Sequence, residues 1–232
     1  PNLPGAEHLA LQRLAPLHAA PRPVAFFPGE APVLVYEFFA GEEWAGDLAA
    51  VAALLRRIRR ADISGFRDVP MQPRDILDQA GIFVAHCSAE FQDRLRAVRP
   101  APVTVPEVAR SVIHTDLGPG NLIAGAEGLI AIDWQCPAAG DPVEDLVAFL
   151  SPAFQILYGK TPLSVAEEQS LLAEYGDDAV VARLAILRQF YDWRMAAYCA
   201  MRSEQYAVTR PEAAARYRVA HAALFARLET KA

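Results

Sequence analysis

Between residues 112 and 123 the chain reads VIHTDLGPGNLI, a polar cluster of His114, Asp116 and Asn121 set between two apolar runs. Gly118, Pro119 and Gly120 make the cluster a loop, because glycine and proline punctuate regular structure. Downstream, the run NLIA, the turn residues GAEG and the run LIAID at 129–133 read as an antiparallel hairpin. Asn121 opens its first strand and Asp133 closes its second, so a tight turn brings these two side chains to the same end. Asp116 lies on the loop just ahead. The apolar flanks need a body in which to be buried, and that need constrains everything else in the chain.

The remaining sequence supplies such a body. At 232 residues and 25.3 kDa the chain suffices for one large domain, or for a small lobe joined to a larger one. Residues 6–15, AEHLALQRLA, form a helical stripe that Pro16 interrupts. VAFF at 24–27 and VLVYEFF at 33–39 flank Pro28 and Gly29 and read as an antiparallel strand pair that Gly41 ends. Asp47 is a good N-cap for the helix DLAAVAALLRRIRR. One long helical stretch runs from about Arg74 to Val98, before Pro100, Pro102 and Pro106 break the chain. Further helices are expected near 142–150, 165–175, 178–203 and 211–229. The class is α+β: a small helix-plus-strand head and a helical body with an embedded hairpin.

Charge and cysteine content narrow the partners. A formal charge of −6 argues against nucleic acid, whose phosphates are bound chiefly by clustered Lys and Arg. The one basic run, RRIRR at 56–60, is expected on the solvated face of a helix. Cys87, Cys136 and Cys199 are scattered and odd in number, which fits reduced thiols in a cytoplasmic protein. No apolar run reaches the roughly 18 to 20 residues of a membrane span, and no secretory signal opens the chain.

The hairpin's chemistry is more specific. Two oxygen-bearing side chains placed side by side suit a hard cation such as Mg²⁺, which accepts carboxylate and amide oxygen and keeps several waters. A carboxylate outside the metal shell can orient an incoming hydroxyl and take its proton. Phosphoryl transfer requires that combination, because its catalysis is mostly positioning and charge neutralisation.

HTDLGPGN fits an HxDxxxxN catalytic loop, and IDWQCPAAGDPVEDLVAF is similar to the metal-binding segment and following helix of the aminoglycoside phosphotransferase and choline kinase family. Members share the two-lobed protein-kinase-like fold. The resemblance implies an ATP-dependent (or GTP-dependent) kinase with Mg²⁺, acting on a hydroxyl of a small molecule. It makes Asp116 the catalytic base, Asn121 and Asp133 the Mg²⁺ ligands, and His114 a brace for the loop. Asp145 resembles the buried helix aspartate that holds the catalytic loop through its backbone amides. Upstream, VLVYEFFAGE is similar to the last small-lobe strand and hinge. Adenine would then meet the backbone carbonyl of Glu37 and the backbone amide of Phe39, with Tyr36 behind the ring. Glu7 sits where the family places the glutamate that pairs with the phosphate-binding lysine. Residues 1–41 would be the small-lobe remnant and hinge, and 42–232 the large lobe.

Two departures stand out. Gln135 occupies a position where many members carry a second carboxylate, which removes a negative charge from any second metal site. The glycine-rich loop and strand lysine have no counterpart, since the only lysines are Lys160 and Lys231; they are expected upstream of Pro1. These departures keep a second reading open, a non-catalytic kinase-like binding or regulatory protein. For the acceptor, FYDWRMAAY at 190–198 places Tyr191, Asp192 and Trp193 on one helix, with Tyr198 sharing the face of Tyr191. Together with Trp134 they are candidates for an aromatic and acidic pocket for an amine such as choline, ethanolamine, an aminoglycoside or an amino sugar. The plainer alternative is that these aromatics pack helix against helix.

Overall fold

The computed structural model describes residues 5–230. In chain order its helices are α1 (Ala6–Leu14), α2 (Leu48–Ile58), α3 (Pro73–Ala85), α4 (Ala89–Ala97), α5 (Val143–Leu150), α6 (Pro152–Leu157), α7 (Val165–Tyr175), α8 (Asp178–Gln205) and α9 (Pro211–Glu229). Its strands are β1 (Pro23–Phe27), β2 (Val33–Tyr36), β3 (Gly41–Glu43), β4 (Ser111–Ile113), β5 (Leu122–Gly125), β6 (Gly128–Ala131) and β7 (Ala138–Gly140). They assemble into two compact units. The first comprises the chain up to Val69 with Val108–Phe149 and Ser164–Val181, and the second Pro70–Glu107 with Leu150–Leu163 and the chain from Ala182. The expected division at residue 41 falls inside the first unit.

In the first unit β1 and β2 pair antiparallel, as their composition predicts, with Phe27 opposite Val33. α1 is tied to them by His8, which stacks on Phe26 with ring centroids 4.8 Å apart. Gly41 does not simply end this pair. It opens β3, which adds to the hairpin as the order β3-β5-β6, with Gly41 opposite Gly125. The reason is steric. A Cβ on Gly41 would lie 2.4 Å from the Ala124 carbonyl oxygen, and one on Gly125 would lie 2.6 Å from both the Ala40 carbonyl oxygen and the Phe39 ring. Two glycines therefore let the chain leaving β2 lie directly on the hairpin, with the Phe39 ring over Gly125.

The apolar stripe of α2 buries Val51, Ala52, Leu54, Leu55 and Ile58, and Asp47 caps it by accepting the Ala50 N–H at 2.9 Å. The RRIRR run corrects the expectation of a solvated face. The Arg56 guanidinium donates to the Glu174 carbonyl at the end of α7, Arg57 to the Leu129 carbonyl of β6 at 2.6 Å, and Arg59 to the Tyr175 hydroxyl and Asp177 carboxylate, each at 2.8 Å. Carbonyls at the C-terminal end of a helix lack intrahelical donors and attract cations, so the run clamps α7 and the hairpin onto α2. α7 itself begins with a capping box between Ser164 and Glu167 and ends at Gly176 with φ +66°.

In the second unit the single helix expected over 74–98 is two, because the chain turns at His86–Ser88 before α4 starts. α6, not foreseen, begins with Pro152 directly after Ser151 and packs on α9. Among the described residues no helix is long and apolar enough to cross a membrane.

Identical substitutions at two glycines should act with opposite sign. Gly125→Ala forces a methyl into the β3–β5 junction and should cost about 1 to 3 kcal/mol, whereas Gly81→Ala, in α3 with open space around its Cβ, should stabilise by about 0.5 to 1 kcal/mol. Urea unfolding midpoints of the two variants check both signs.

Candidate active site

The first unit gathers the polar residues of the hairpin between two short ladders. β5 and β6 pair with Leu122 opposite Ala131, and β4 pairs with β7 with Ile113 opposite Ala138. The loop 114–121 and the segment 132–137 are the two connections between these ladders. At one end the Ile132 N–H donates to the Asn121 carbonyl at 2.9 Å, which extends the β5–β6 pairing to the residue before Asp133. Asp116 and Asp133 are exposed, whereas His114 and Asn121 are buried.

The loop is held by a carboxylate. Asp145, on α5 and 2% exposed, accepts the His114 N–H at 2.8 Å and the Thr115 N–H at 3.0 Å. α5 starts where Asp141 accepts the Val143 N–H at 3.0 Å, a cap that the GDP run before the helix could have signalled. His114 performs a second bridge. Its Nδ1 accepts the Asp116 N–H at 3.3 Å, so its Nε2 carries the hydrogen donated to the Ile132 carbonyl at 2.8 Å. The neutral ring thus links the residue before Asp133 to the backbone of Asp116. Trp134 covers it with ring centroids 4.4 Å apart, and its indole N–H donates to the Ala131 carbonyl.

Asn121 closes the loop from the other side, its Nδ2 donating to the Asp116 carbonyl at 2.8 Å. That bond fixes the amide orientation, with Nδ2 toward the Asp116 carbonyl. Among the described residues no group of three His, Cys, Asp or Glu is gathered to hold a metal ion. The protein offers one carboxylate and one amide oxygen, which suits a cation that completes its shell with water and phosphate. Glu7 on α1 faces this place: burial raises its pKa, and the Asp133 charge raises it further.

The backbone carries two marks that the sequence did not show. Thr115 has φ +70° and Asp133 φ +63°, left-handed conformations uncommon outside glycine. The Thr115 hydroxyl donates to the Cys136 carbonyl at 3.0 Å, where Arg67 also donates at 3.4 Å. Upstream, Glu37 donates its N–H to the Arg22 carbonyl and pairs with that guanidinium at 3.4 Å, while the Tyr36 side chain is 44% exposed and Phe39 rests on Gly125.

The acceptor candidates lie differently. Trp134 is fully buried against His114. In the second unit Trp193 is buried with its indole N–H on the Leu95 carbonyl at 2.9 Å, Tyr191 is buried under the Arg194 guanidinium, and Asp192 is buried with Arg227 at 3.3 Å. In this structure Trp193 and Asp192 join α8 to α4 and α9, and the rings of Trp134, Tyr191 and Trp193 are buried.

Burial shifts two groups in opposite directions. It drives His114 from 6.5 to about 4 and pushes Asp145 from 3.8 up to about 7, the latter against the pull of its two backbone N–H donors. His114 stabilises the fold fully above pH 6.5 and loses that contribution as the pH falls toward 4, since the unfolded chain takes the proton first. Asp145 contributes fully below pH 3.8 and loses its contribution as the pH rises through 7. Between pH 4 and 6.5 the two slopes, each about 1.4 kcal/mol per pH unit, oppose one another. His114→Phe should therefore gain stability on acidification from 6.5 to 4.5 and Asp145→Asn should lose it, as read by urea unfolding at the two pH values.

Residues 5–187 match the phosphotransferase enzyme family, APH. No curated protein matches the chain in sequence. Among solved structures, a choline/ethanolamine kinase family protein from Mesorhizobium loti superposes with a TM-score of 0.66 at 16% identity, covering 97% of this chain and 77% of that one. Spectinomycin phosphotransferase APH(9)-Ia, solved with ADP and spectinomycin, gives 0.62 at 15% identity over 94% and 82%. Amicoumacin kinase hAmiN, solved with AMP-PNP, Ca²⁺ and its antibiotic, gives 0.60 at 16% identity over 97% and 77%. With the family matched over residues 5–187 and the protein-kinase-like fold shared with these structures, the chain belongs to the phosphotransferase enzyme family.

Proposed function

We propose that the chain transfers the terminal phosphoryl group of ATP to a hydroxyl of a small, amine-bearing molecule in the cytoplasm. The observation that carries this reading is the exposed Asp116 carboxylate on a loop whose backbone is fixed at three points: the Asp116 N–H on His114, the Asp116 carbonyl under Asn121, and the neighbouring Thr115 N–H on Asp145. A carboxylate held so firmly yet open to solvent is placed to receive a proton from an incoming hydroxyl. The acceptor oxygen then forms its bond to the terminal phosphorus, the bond from that phosphorus to the bridging oxygen breaks, and ADP departs.

Asn121 and Asp133 are the residues that would hold Mg²⁺, which when bound neutralises phosphate charge. The left-handed backbone at Asp133 keeps its carboxylate exposed beside Asn121. The stretch Glu37–Phe39, which leads from β2 to the Gly41–Gly125 pairing of β3 on β5, would be the place for adenine, with Tyr36 beside it. Glu7 would orient the phosphate-binding group from α1. An amine-bearing acceptor is favoured by the net charge of −6; the choline/ethanolamine kinase relative and the antibiotic kinases supply the panel on which to test it.

Asp116→Asn keeps the side-chain shape and all three backbone restraints, so it should lower turnover by about 10³-fold with an unchanged unfolding midpoint. The assay is Mg²⁺-dependent ADP release from the purified protein with choline, ethanolamine and aminoglycoside acceptors. Wild-type rates in that variant would remove Asp116 from the base role. Failure of the wild-type protein to consume ATP with any acceptor would favour the binding-protein reading.

A further inference from the structure

Thr115 stands directly before Asp116 with φ +70°. A β-branched residue is a poor occupant of the left-handed region, because its Cβ substituents crowd the following backbone. Glycine would adopt the conformation without strain. Something must therefore hold threonine there, and two bonds do: its N–H on Asp145 at 3.0 Å and its hydroxyl on the Cys136 carbonyl at 3.0 Å. The first comes from the backbone and any residue could make it. The second needs the hydroxyl.

Cys136 lies three positions after Asp133, in the connection that carries the metal-side carboxylate toward β7. Its carbonyl also receives Arg67, whose own carbonyl accepts the Ala139 N–H of β7 at 2.8 Å. The Thr115 hydroxyl thus spans the two connections of the site, as the His114 ring does through the Ile132 carbonyl. We propose that Thr115 is a positioning residue: its hydroxyl latch to the Cys136 carbonyl holds the left-handed backbone that aims Asp116 and keeps that loop in register with the Asp133 segment. This rests on the reading of Asp116 as the base, but the latch itself is a structural claim with a readout of its own.

Three substitutions separate the latch from its alternatives. Thr115→Ser keeps the hydroxyl and lowers the strain. Thr115→Val keeps the shape and the strain but loses the latch. Thr115→Gly loses the hydroxyl and removes the strain. Amide hydrogen exchange followed by mass spectrometry should show faster exchange in peptides covering 114–121 and 133–138 together in Thr115→Val, and wild-type protection in Thr115→Ser. Turnover should fall at least about tenfold in Thr115→Val, a misplacement effect, with the KM for ATP within about twofold of wild type; Thr115→Gly, which also lacks the latch, should show the same faster paired exchange, while Thr115→Ser keeps most of the rate.

Thr115→Val with wild-type protection and wild-type turnover would overturn the proposal. Thr115→Ser as slow as Thr115→Val, or exchanging as fast in both segments, would also overturn it, because the hydroxyl would then not be what holds the loop. If the wild-type protein consumes no ATP with any acceptor, the kinase reading falls, and the paired exchange of the two segments still decides the latch.

Discussion

The structure of the site depends on one carboxylate, that of Asp145, accepting two successive backbone N–H groups from His114 and Thr115. Buried polar groups must be paired, and a loop that leaves a strand in the left-handed conformation has no ladder partner for these two donors. Asp145 supplies both acceptors from the first turn of α5. Its burial raises its own pKa to about 7, so the group that organises the loop is itself held at a cost.

From this anchor the remaining restraints follow in sequence. Fixing the His114 backbone aims its ring at the Asp116 N–H and the Ile132 carbonyl, and the neutral tautomer follows from having one acceptor nitrogen and one donor. Fixing the Asp116 carbonyl gives Asn121 a partner for its amide nitrogen and sets the orientation of its oxygen. Asp116 and Asp133, the two carboxylates with proposed chemical roles, keep their side chains exposed, while the Asp116 backbone is bonded at both its N–H and its carbonyl. The arrangement separates rigidity from reactivity: main-chain and buried groups carry the first, solvent-facing carboxylates the second.

Much of this was legible in the chain itself. The hairpin followed from the apolar runs on either side of GAEG, and the pairing of its strands brings Asn121 and Ile132 to the same end. The helices over 165–175, 178–203 and 211–229 followed from periodicity and from proline and glycine at their ends. β3 and β7 were not legible, because strands of three residues carry no period and depend on partners distant in sequence. The clamp made by Arg56, Arg57 and Arg59 was hidden for a similar reason: a basic run looks solvated until another helix end is brought to it.

The sequence by itself determined which residues could do chemistry and in what order, since the spacing of His114, Asp116, Asn121 and Asp133 on a hairpin is a local matter. Tertiary structure alone decided the conformation that makes them useful. Nothing in the letters HTD calls for a threonine at positive φ; that needs Asp145 from α5 and the Cys136 carbonyl from beyond β6. Tertiary structure also decided which aromatics are interior. Trp134 and Trp193 have the composition of a ligand cage, but their N–H groups are committed to the Ala131 and Leu95 carbonyls, because an indole buried among helices and strands must find an acceptor there.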